Sequence, residues 1–480
     1  MLSTTAESVI QSGEYTPLRP PERPSASRLT RPVVLATLTA CLGAVSFGFV
    51  LGYVSPVEND LKEKLHWSDE ELTWFTSIQA LGCMLGALIG LKTIDKFGRK
   101  FNIMACSVPL VAGWIIIAAA KALPHFYVGR FISGLGVGAI SLTVPLYIAE
   151  ISPAKYRGAL GSANQLGVTF GALLAYSFGS FLNWHWLAIA GAIPSTIMAI
   201  FMIRFPETPR WLIRNGRIND ACHALEYLRQ TTDEECEDEC KEIRCTLDVD
   251  ERVSLREFTK PTIYRPFIIS IMLMVFQQFS GINAVIMYAS QMLRDAGLSD
   301  AIVAEIAIGV VQFVGTGIAC LIIDKLGRRV LLIFPTILMC VSMAVLGAAD
   351  YYDHFPKSVT LIALCCFITG FSFGFGPIPW LIMSEIFPTN VRGIASGIAT
   401  QVNWLGVFIV TKFYVNMKHS MHPYGMYWFF AAVCLVSVIY VFIFLPETKG
   451  KTLEEVQRLF AAHRDLHGPD SFEKYGGIHS

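Results

Sequence analysis

The chain has 480 residues, 53% of them hydrophobic and only 16% charged, and its Lys and Arg balance its Asp and Glu to a formal charge of zero. A soluble domain carries nearer a quarter of charged residues, and a neutral balance offers nucleic acid no electrostatic footing. Apolar runs of about 20 residues, each long enough to cross ~30 Å of hydrocarbon, recur from end to end, so the expectation is an all-α polytopic membrane protein.

Residues 1–31 are polar and hold Pro17, Pro20, Pro21 and Pro24, with no apolar core before Pro32. This reads as a disordered cytoplasmic tail rather than a cleavable signal. Within it, Glu14-Tyr15-Thr16-Pro17-Leu18-Arg19 resembles an acidic dileucine sorting signal, with Arg19 in place of the second leucine; sorting adaptors are therefore a candidate partner class. Twelve spans are predicted, at 32–53, 72–91, 101–121, 126–148, 160–182, 186–203, 266–289, 302–323, 330–349, 359–383, 394–414 and 426–445. The one long hydrophilic interruption, 205–265, contains two amphipathic helical patterns, at 218–229 and 234–247. The organisation expected is a tail (1–31), a six-helix bundle (32–204), a cytoplasmic helical linker (205–265), a second six-helix bundle (266–445) and a C-terminal tail (446–480).

Eight of the twelve cysteines lie in apolar runs, where they act as small hydrophobes. Cys236, Cys240 and Cys245 sit among acids in the linker, but no CxxC pair or histidine completes a metal set, and no metal or cofactor is expected. Orientation follows Lys and Arg. One set of short loops holds ten of them, Arg99, Arg157, Arg328 and Arg392 included, against seven spread over longer loops on the other face. The richer face carries the linker and the basic tail, which puts both termini in the cytoplasm.

The two halves repeat. Asp95-Lys96-Phe97-Gly98-Arg99-Lys100 recurs as Asp324-Lys325-Leu326-Gly327-Arg328-Arg329. Glu150-Ile-Ser-Pro-Ala-Lys-Tyr-Arg157-Gly158 recurs as Glu385-Ile-Phe-Pro-Thr-Asn-Val-Arg392-Gly393, and Pro206-Glu207-Thr208 as Pro446-Glu447-Thr448. Three pairs in the same order at nearly equal separation imply two like bundles related by an axis along the membrane normal, with a ligand site between them near the midplane.

The stretch 277–288, Gln-Gln-Phe-Ser-Gly-Ile-Asn-Ala-Val-Ile-Met-Tyr, is the polar centre of the seventh span. An amide in hydrocarbon costs free energy unless it is hydrogen-bonded, and a carboxamide offers donors and acceptors that suit a neutral polyhydroxyl ligand. On an unbroken helix Gln278 and Asn283 would lie about 140° apart. They can face one ligand only if the helix deforms, and Ser280-Gly281 stands between them to allow it. The bland reading is helix–helix glue; three amides beside a Ser-Gly break favour a site. The chain lacks a nucleophile elbow, an HExxH and a P-loop, so no catalytic residue is assigned and an enzyme is not expected.

The repeats, with Gly129-Arg130-Phe131, Pro206-Glu-Thr-Pro-Arg-Trp-Leu212, the 277–288 stretch, Gly376-Pro377-Ile378-Pro379-Trp380 and Pro446-Glu-Thr-Lys-Gly450, resemble the sugar-porter family of the major facilitator superfamily, over about residues 32 to 460. Within it the chain looks most like the animal facilitative glucose transporters, in the branch similar to glucose-transporter-8-like proteins, on the short loop 54–70 and on Gln312. The resemblance implies the major facilitator fold and alternating access. It implies sugar contacts from Gln165, Gln277, Gln278, Asn283, Gln312, Trp380 and Asn403, with Trp404 beside the last. Tyr288 matches an outer-gate tyrosine, although Met287 replaces its usual tyrosine neighbour. A cytoplasmic gate is implied for Asp95, Arg99, Glu150, Arg157 and Arg210 in one half and Asp324, Arg328, Glu385 and Arg392 in the other. Pro377 and Pro379 are expected to break the tenth helix beside Trp380.

Proton-coupled relatives resemble one another in carrying an aspartate in the first span, where this chain has Val50. The spans are read as free of carboxylates apart from Glu150 and Glu385 at the cytoplasmic edge, and proton relays need intramembrane carboxylates. The expectation is a hexose uniporter, glucose foremost, in the plasma membrane or an endosomal or lysosomal membrane. A proton-linked sugar or inositol-like polyol carrier, a trehalose carrier and a non-transporting sugar sensor are the alternatives.

Overall fold

A computed structural model describes residues 29–247, 258–295, 297, 301–352, 355–387, 389–449, 451, 455–456 and 459–460. The Glu14–Arg19 motif and most of both tails lie outside the described residues. The first half is α1 (Arg31–Gly52), α2 (Val54–Asn59), α3 (Asp69–Phe97), α4 (Arg99–Ala118), α5 (Leu123–Ile151), α6 (Arg157–Gly179) and α7 (Trp184–Met202). The linker is α8 (Pro209–Arg214), α9 (Ile218–Arg229) and α10 (Asp233–Leu247). The second half is α11 (Pro261–Phe279), α12 (Ile282–Met287), α13 (Ala289–Asp295), α14 (Ala301–Leu326), α15 (Arg328–Tyr352), α16 (Lys357–Phe373), α17 (Ile378–Ile386) and α18 (Thr389–Phe444).

Among the described residues, ten helical stretches are long and apolar enough to cross a membrane. The last runs through Pro423 with non-helical backbone at His422 and is two helices in one. α6 has the length of a span, but Ser162, Asn164, Gln165 and its glycines make it too polar to stand out by hydropathy. Those two adjustments bring the crossings to twelve. Local signals set the ends. Pro32 and Pro261 occupy first-turn positions that need no N–H. At α3 the Ser68 hydroxyl accepts from the Glu71 N–H while Glu71 accepts from the Ser68 N–H at 2.7 Å, a reciprocal cap. The loop expected after the first span is largely helical, with α2 followed by a wide turn at Asp60–Lys64.

In the first half α1 packs on α6, and α5 on α3 and α4; in the second, α15 packs on α16 and α18, and α11 on α18. Small residues let these backbones meet: a β-carbon at Gly48 would overlap the Val168 carbonyl, and one at Gly171 the Val45 carbonyl. The halves touch along two seams, α3 with α18 and α6 with α14. The linker helices share a small core of their own, Trp211, Leu225 and Cys236 among it. Arg229 ties it to the first half by donating to the Ile151 carbonyl at 2.8 Å. In that core Cys240 and Cys222 stand 3.2 Å apart, sulfur to sulfur, while Cys245 is exposed. The end of the molecule bearing α8–α10 is called here the linker end, and the opposite end, with Ser55 and Ser290, the distal end.

Candidate functional site

The seventh span breaks where its sequence is most polar. α11 stops at Phe279, Gly281 takes φ +90°, and α12 restarts at Ile282. The break removes the 140° separation of an ideal helix: Asn283 Nδ2 donates to Gln278 Oε1. Gln278 Nε2 lies 3.3 Å from Gln277 Oε1, which also accepts from Asn403 Nδ2 of α18 at 2.6 Å. Gln277 Nε2 donates to the Phe375 carbonyl at 2.5 Å, in the gap between α16 and α17. That gap, residues 374–377, is the break expected at Pro377; Pro379 sits inside α17. Four amides from α11, α12 and α18 therefore form one bonded chain, and all four are buried.

The remaining sugar candidates stand outside that chain. Gln312 on α14 is buried and its Oε1 has no hydrogen-bond partner. Gln165 on α6 and Trp380 on α17 are half-buried. Trp404 packs its ring 5.6 Å from Phe47 of α1, and its indole N–H is buried and unpartnered. Two further glutamines, absent from the sequence reading, share this condition: both amide atoms of Gln79 on α3 and of Gln401 on α18 are buried without partners. Each such group forfeits about 1–3 kcal/mol until something bonds to it, and a polyhydroxyl ligand between the halves would bring both donors and acceptors. The signal that could have found them is a lone amide in an apolar run, whereas Gln165 was named from the family resemblance alone.

The distal end is closed. Ser290 N–H donates to Ser55 Oγ at 3.0 Å, Tyr176 Oη to the Ile286 carbonyl at 2.9 Å, and Lys412 Nζ to Thr73 Oγ1 at 3.2 Å. Arg294 pairs with Glu58 at 3.3 Å. All four contacts cross from one half to the other. Tyr288, the outer-gate candidate, is fully buried, stacked on Tyr414 with ring centres 4.2 Å apart, and donates to the Thr411 carbonyl.

At the linker end the three sequence repeats converge on one constellation in each half. Arg99 Nη2 lies 2.9 Å from Glu150, whose other oxygen accepts from Thr208 Oγ1 at 2.6 Å. Arg328 Nη2 lies 2.8 Å from Glu385, whose other oxygen accepts from Thr448 Oγ1 at 2.6 Å. Glu207 accepts the backbone N–H groups of Arg99 and Lys100 at the start of α4; Glu447 accepts those of Arg328 and Arg329 at the start of α15. A carboxylate there satisfies orphan donors and faces the positive end of the helix dipole. The environments differ. Burial holds the Glu207 carboxyl above its ordinary value despite these donors. Burial also pushes Glu447 up, but less, and its backbone N–H donors bring it below the ordinary value.

The other gate candidates make different contacts. Asp95 is reached by Arg99 at 3.5 Å and Arg214 at 3.3 Å. Arg157 donates to the Ala149 carbonyl and Arg392 to the Phe387 carbonyl, and Arg210 is exposed. The Asp324 side chain lies outside the described residues. The Arg99–Glu150 and Arg328–Glu385 pairs each stay within a single half, so any gating by them works through the helix ends they tie together. A β-carbon at Gly161 or at Gly393, one in each half, would meet open space.

Arg130 is fully buried in α5. Its Nη1 donates to the Val50 carbonyl at 2.9 Å and its Nε to the Phe75 carbonyl at 3.3 Å, with the guanidinium 5.1 Å above the Phe75 ring. Its Nη2 is buried without a hydrogen-bond partner. The expectation that no carboxylate besides Glu150 and Glu385 lies within a span does not hold. Glu305, in the first turns of α14, is 1% exposed, and Glu58, at the end of the first span's extension, is 0% exposed. Glu305 was inside the predicted span 302–323; Glu58 was assigned to a loop that is in fact helix.

A family model described as "Sugar (and other) transporter" matches residues 36–460. Facilitated glucose transporter member 8 of solute carrier family 2 from Mus musculus is 38% identical over 472 residues, 92% of this chain and 97% of that protein. Facilitated trehalose transporter Tret1 from Bombyx mori is 38% identical over 434 residues, 88% of this chain and 86% of that protein. Among solved structures, the inward-open xylose transporter XylE from E. coli superposes with TM-score 0.77 at 28% identity, covering 89% of this chain and 99% of that one. The same transporter bound to 6-bromo-6-deoxy-D-glucose, described as a proton:xylose symporter, also gives 0.77 at 28% identity.

Proposed function

This chain belongs to the sugar transporter family, and on that premise we propose that it carries a hexose, glucose foremost, down its gradient by alternating access, with the α8–α10 end in the cytoplasm. It is a multi-pass membrane transporter for sugar. The observation that carries the hexose reading is the amide chain at the α11–α12 break, flanked by the unpartnered polar atoms of Gln312, Trp404 and Gln401. Amides that exchange hydrogen bonds with one another when the site is empty can exchange them for sugar hydroxyls at little net cost. The indole of Trp404 or Trp380 adds apolar area for a sugar's C–H face and one N–H donor.

The closed distal end and the in-half pairing at the linker end support a carrier resting open to the cytoplasm. Opening the other way must break the Ser55–Ser290 and Glu58–Arg294 contacts and close the linker end. Four such contacts, each contributing on the order of 1 kcal/mol net, sum to a balance that sugar binding can tip.

Uniport rests on Arg130. In this chain its Nε and Nη1 bond to carbonyls while Nη2 is buried without a partner, and Val50 offers no group to titrate beside it. The test is uptake of labelled 2-deoxyglucose into proteoliposomes, with a competition panel of glucose, fructose, galactose, inositol and trehalose. Uptake that persists with no pH gradient and is blocked by glucose is expected. Strict dependence on an inward proton gradient overturns uniport, preferential block by trehalose moves the substrate to that disaccharide, and binding without flux makes the protein a sensor.

A further inference from the structure

Sugar recognition does not account for the two carboxylates buried at the distal end. Glu58 on α2 and Glu305 on α14 belong to opposite halves. Glu58 has two cations: Lys62 Nζ at 3.2 Å and Arg294 Nη2 at 3.3 Å. Glu305 has none within ion-pair distance among the described residues. One of its oxygens accepts from Ser290 Oγ, and the other is buried with no partner. Ser290 is the residue whose N–H reaches Ser55 across the interface. The groups that face Glu305 are Ser290 and Arg294 from α13, Ser55 and Glu58 from α2, and Tyr176 from α6. Tyr176 spends its hydroxyl hydrogen on the Ile286 carbonyl and offers Glu305 none.

An ionised carboxylate enclosed in this way, with serines for neighbours and no cation at ion-pair distance among the described residues, forfeits much of its hydration. The neutral acid forfeits much less. Opening the distal end separates Ser55 from Ser290 and admits water to Glu305, which restores the hydration of the charged form. Closure and protonation are therefore linked, because each favours the other.

We propose that Glu305 is a proton-binding site that latches the distal end, taking a proton from the distal aqueous phase as that end closes and returning it to the same phase as it opens. The proton does not cross the membrane, since the site is sealed whenever the linker end is open. The carrier is then a uniporter whose turnover responds to pH on the distal side. The inference rests on the carrier reading, and one of its readouts does not need transport.

That readout is pH-difference infrared spectroscopy of the full chain in lipid. Wild type is expected to show a protonated-carboxyl stretch that is missing in Glu305→Gln. The second readout is equilibrium exchange of labelled hexose in proteoliposomes at equal pH on both sides, with a pH dye entrapped. Exchange is expected to slow on acidification with a one-proton dependence, at most tenfold per pH unit. Glu305→Gln, which mimics the neutral acid, is expected to hold the wild-type acid-limb rate at every pH. If that variant fails to bind hexose in detergent, Ser290→Ala carries the test, and its profile is expected to be displaced along the pH axis. An unchanged carboxyl band in Glu305→Gln, a wild-type pH profile in either variant, or sugar-driven proton entry reported by the dye overturns the proposal. Absence of any hexose exchange with the carboxyl band present defeats the carrier reading and leaves the proton site standing.

Discussion

Asn403 on α18 donates to Gln277 Oε1 across 2.6 Å, while Gln277 donates to the Phe375 carbonyl in the break before α17. One side chain therefore joins three chain segments, and its neighbour Gln278 joins only its own, through Asn283. The two glutamines should separate on mutation. On the proposed site, Gln278→Ala removes an amide whose loss costs about 1–3 kcal/mol, so hexose uptake should fall roughly tenfold or more with abundance intact. Gln277→Ala also strands Asn403 and the Phe375 carbonyl, so uptake and thermal stability should fall together. Normal uptake by Gln278→Ala would remove the site from this stretch.

The same site depends on a backbone conformation. Gly281 sits at φ +90°, and a β-carbon there would lie 2.7 Å from Phe430 Cδ2. Left-handed backbone costs a residue with a side chain about 1–2 kcal/mol, and the contact with Phe430 adds to that. Gly281→Ala should therefore lower the melting temperature and abolish most uptake, because Gln278 and Asn283 no longer converge. Phe430→Ala leaves a cavity of its own, costing about 3–5 kcal/mol at this buried position, so Gly281→Ala should be compared on that background, where it should cost less than in wild type but still more than nothing. No further cost there would locate the whole penalty in the clash.

Why some of this was legible in the sequence, and some not, follows from what each residue needs. The Ser280-Gly281 break could be anticipated because a helix cannot otherwise turn Gln278 and Asn283 to one side. The paired constellations at the linker end were announced by repeats, since charged residues at equivalent helix ends must be written twice. Amphipathic periodicity marked α9 at its observed ends. α8 has only six residues, too few for any period to register. Glu305 and Glu58 were missed for a different reason. Glu58 falls in what reads as a loop and Glu305 is a single carboxylate within an apolar run, and only the folded chain shows that Ser290, Arg294 and Lys62 surround the pair. Likewise Gln79 and Gln401 are ordinary residues until their amide atoms prove to be both buried and unpartnered.

Duplicate sequence does not mean equal energy at the linker end. Arg99 and Glu150 have side chains 7% and 6% exposed, against 11% and 22% for Arg328 and Glu385. Removing one partner of a buried pair strands the other charge at a cost of about 3–5 kcal/mol, while a partly solvated pair contributes nearer 1 kcal/mol. Glu150→Gln should therefore lower the thermal stability of the detergent-solubilised protein clearly more than Glu385→Gln. Equal shifts would mean that solvent reaches both pairs alike.

Glu207 and Glu447 should respond to acid with opposite sign. Glu447 titrates below its ordinary value when folded, so its contribution to stability is present above the unfolded value and is lost as pH falls through the folded one. Glu207 titrates above its ordinary value when folded, chiefly through burial, so the folded state binds its proton more tightly and gains stability as pH falls through that raised value. Glutamine at either position removes the titration. In melting curves taken from neutral pH into acid, Glu447→Gln should soften the acid-side loss of stability seen in wild type, and Glu207→Gln should steepen it. Two variants that bend the acid limb the same way would show that the backbone donors at α4 and α15 act on the two carboxylates equally, whatever their burial.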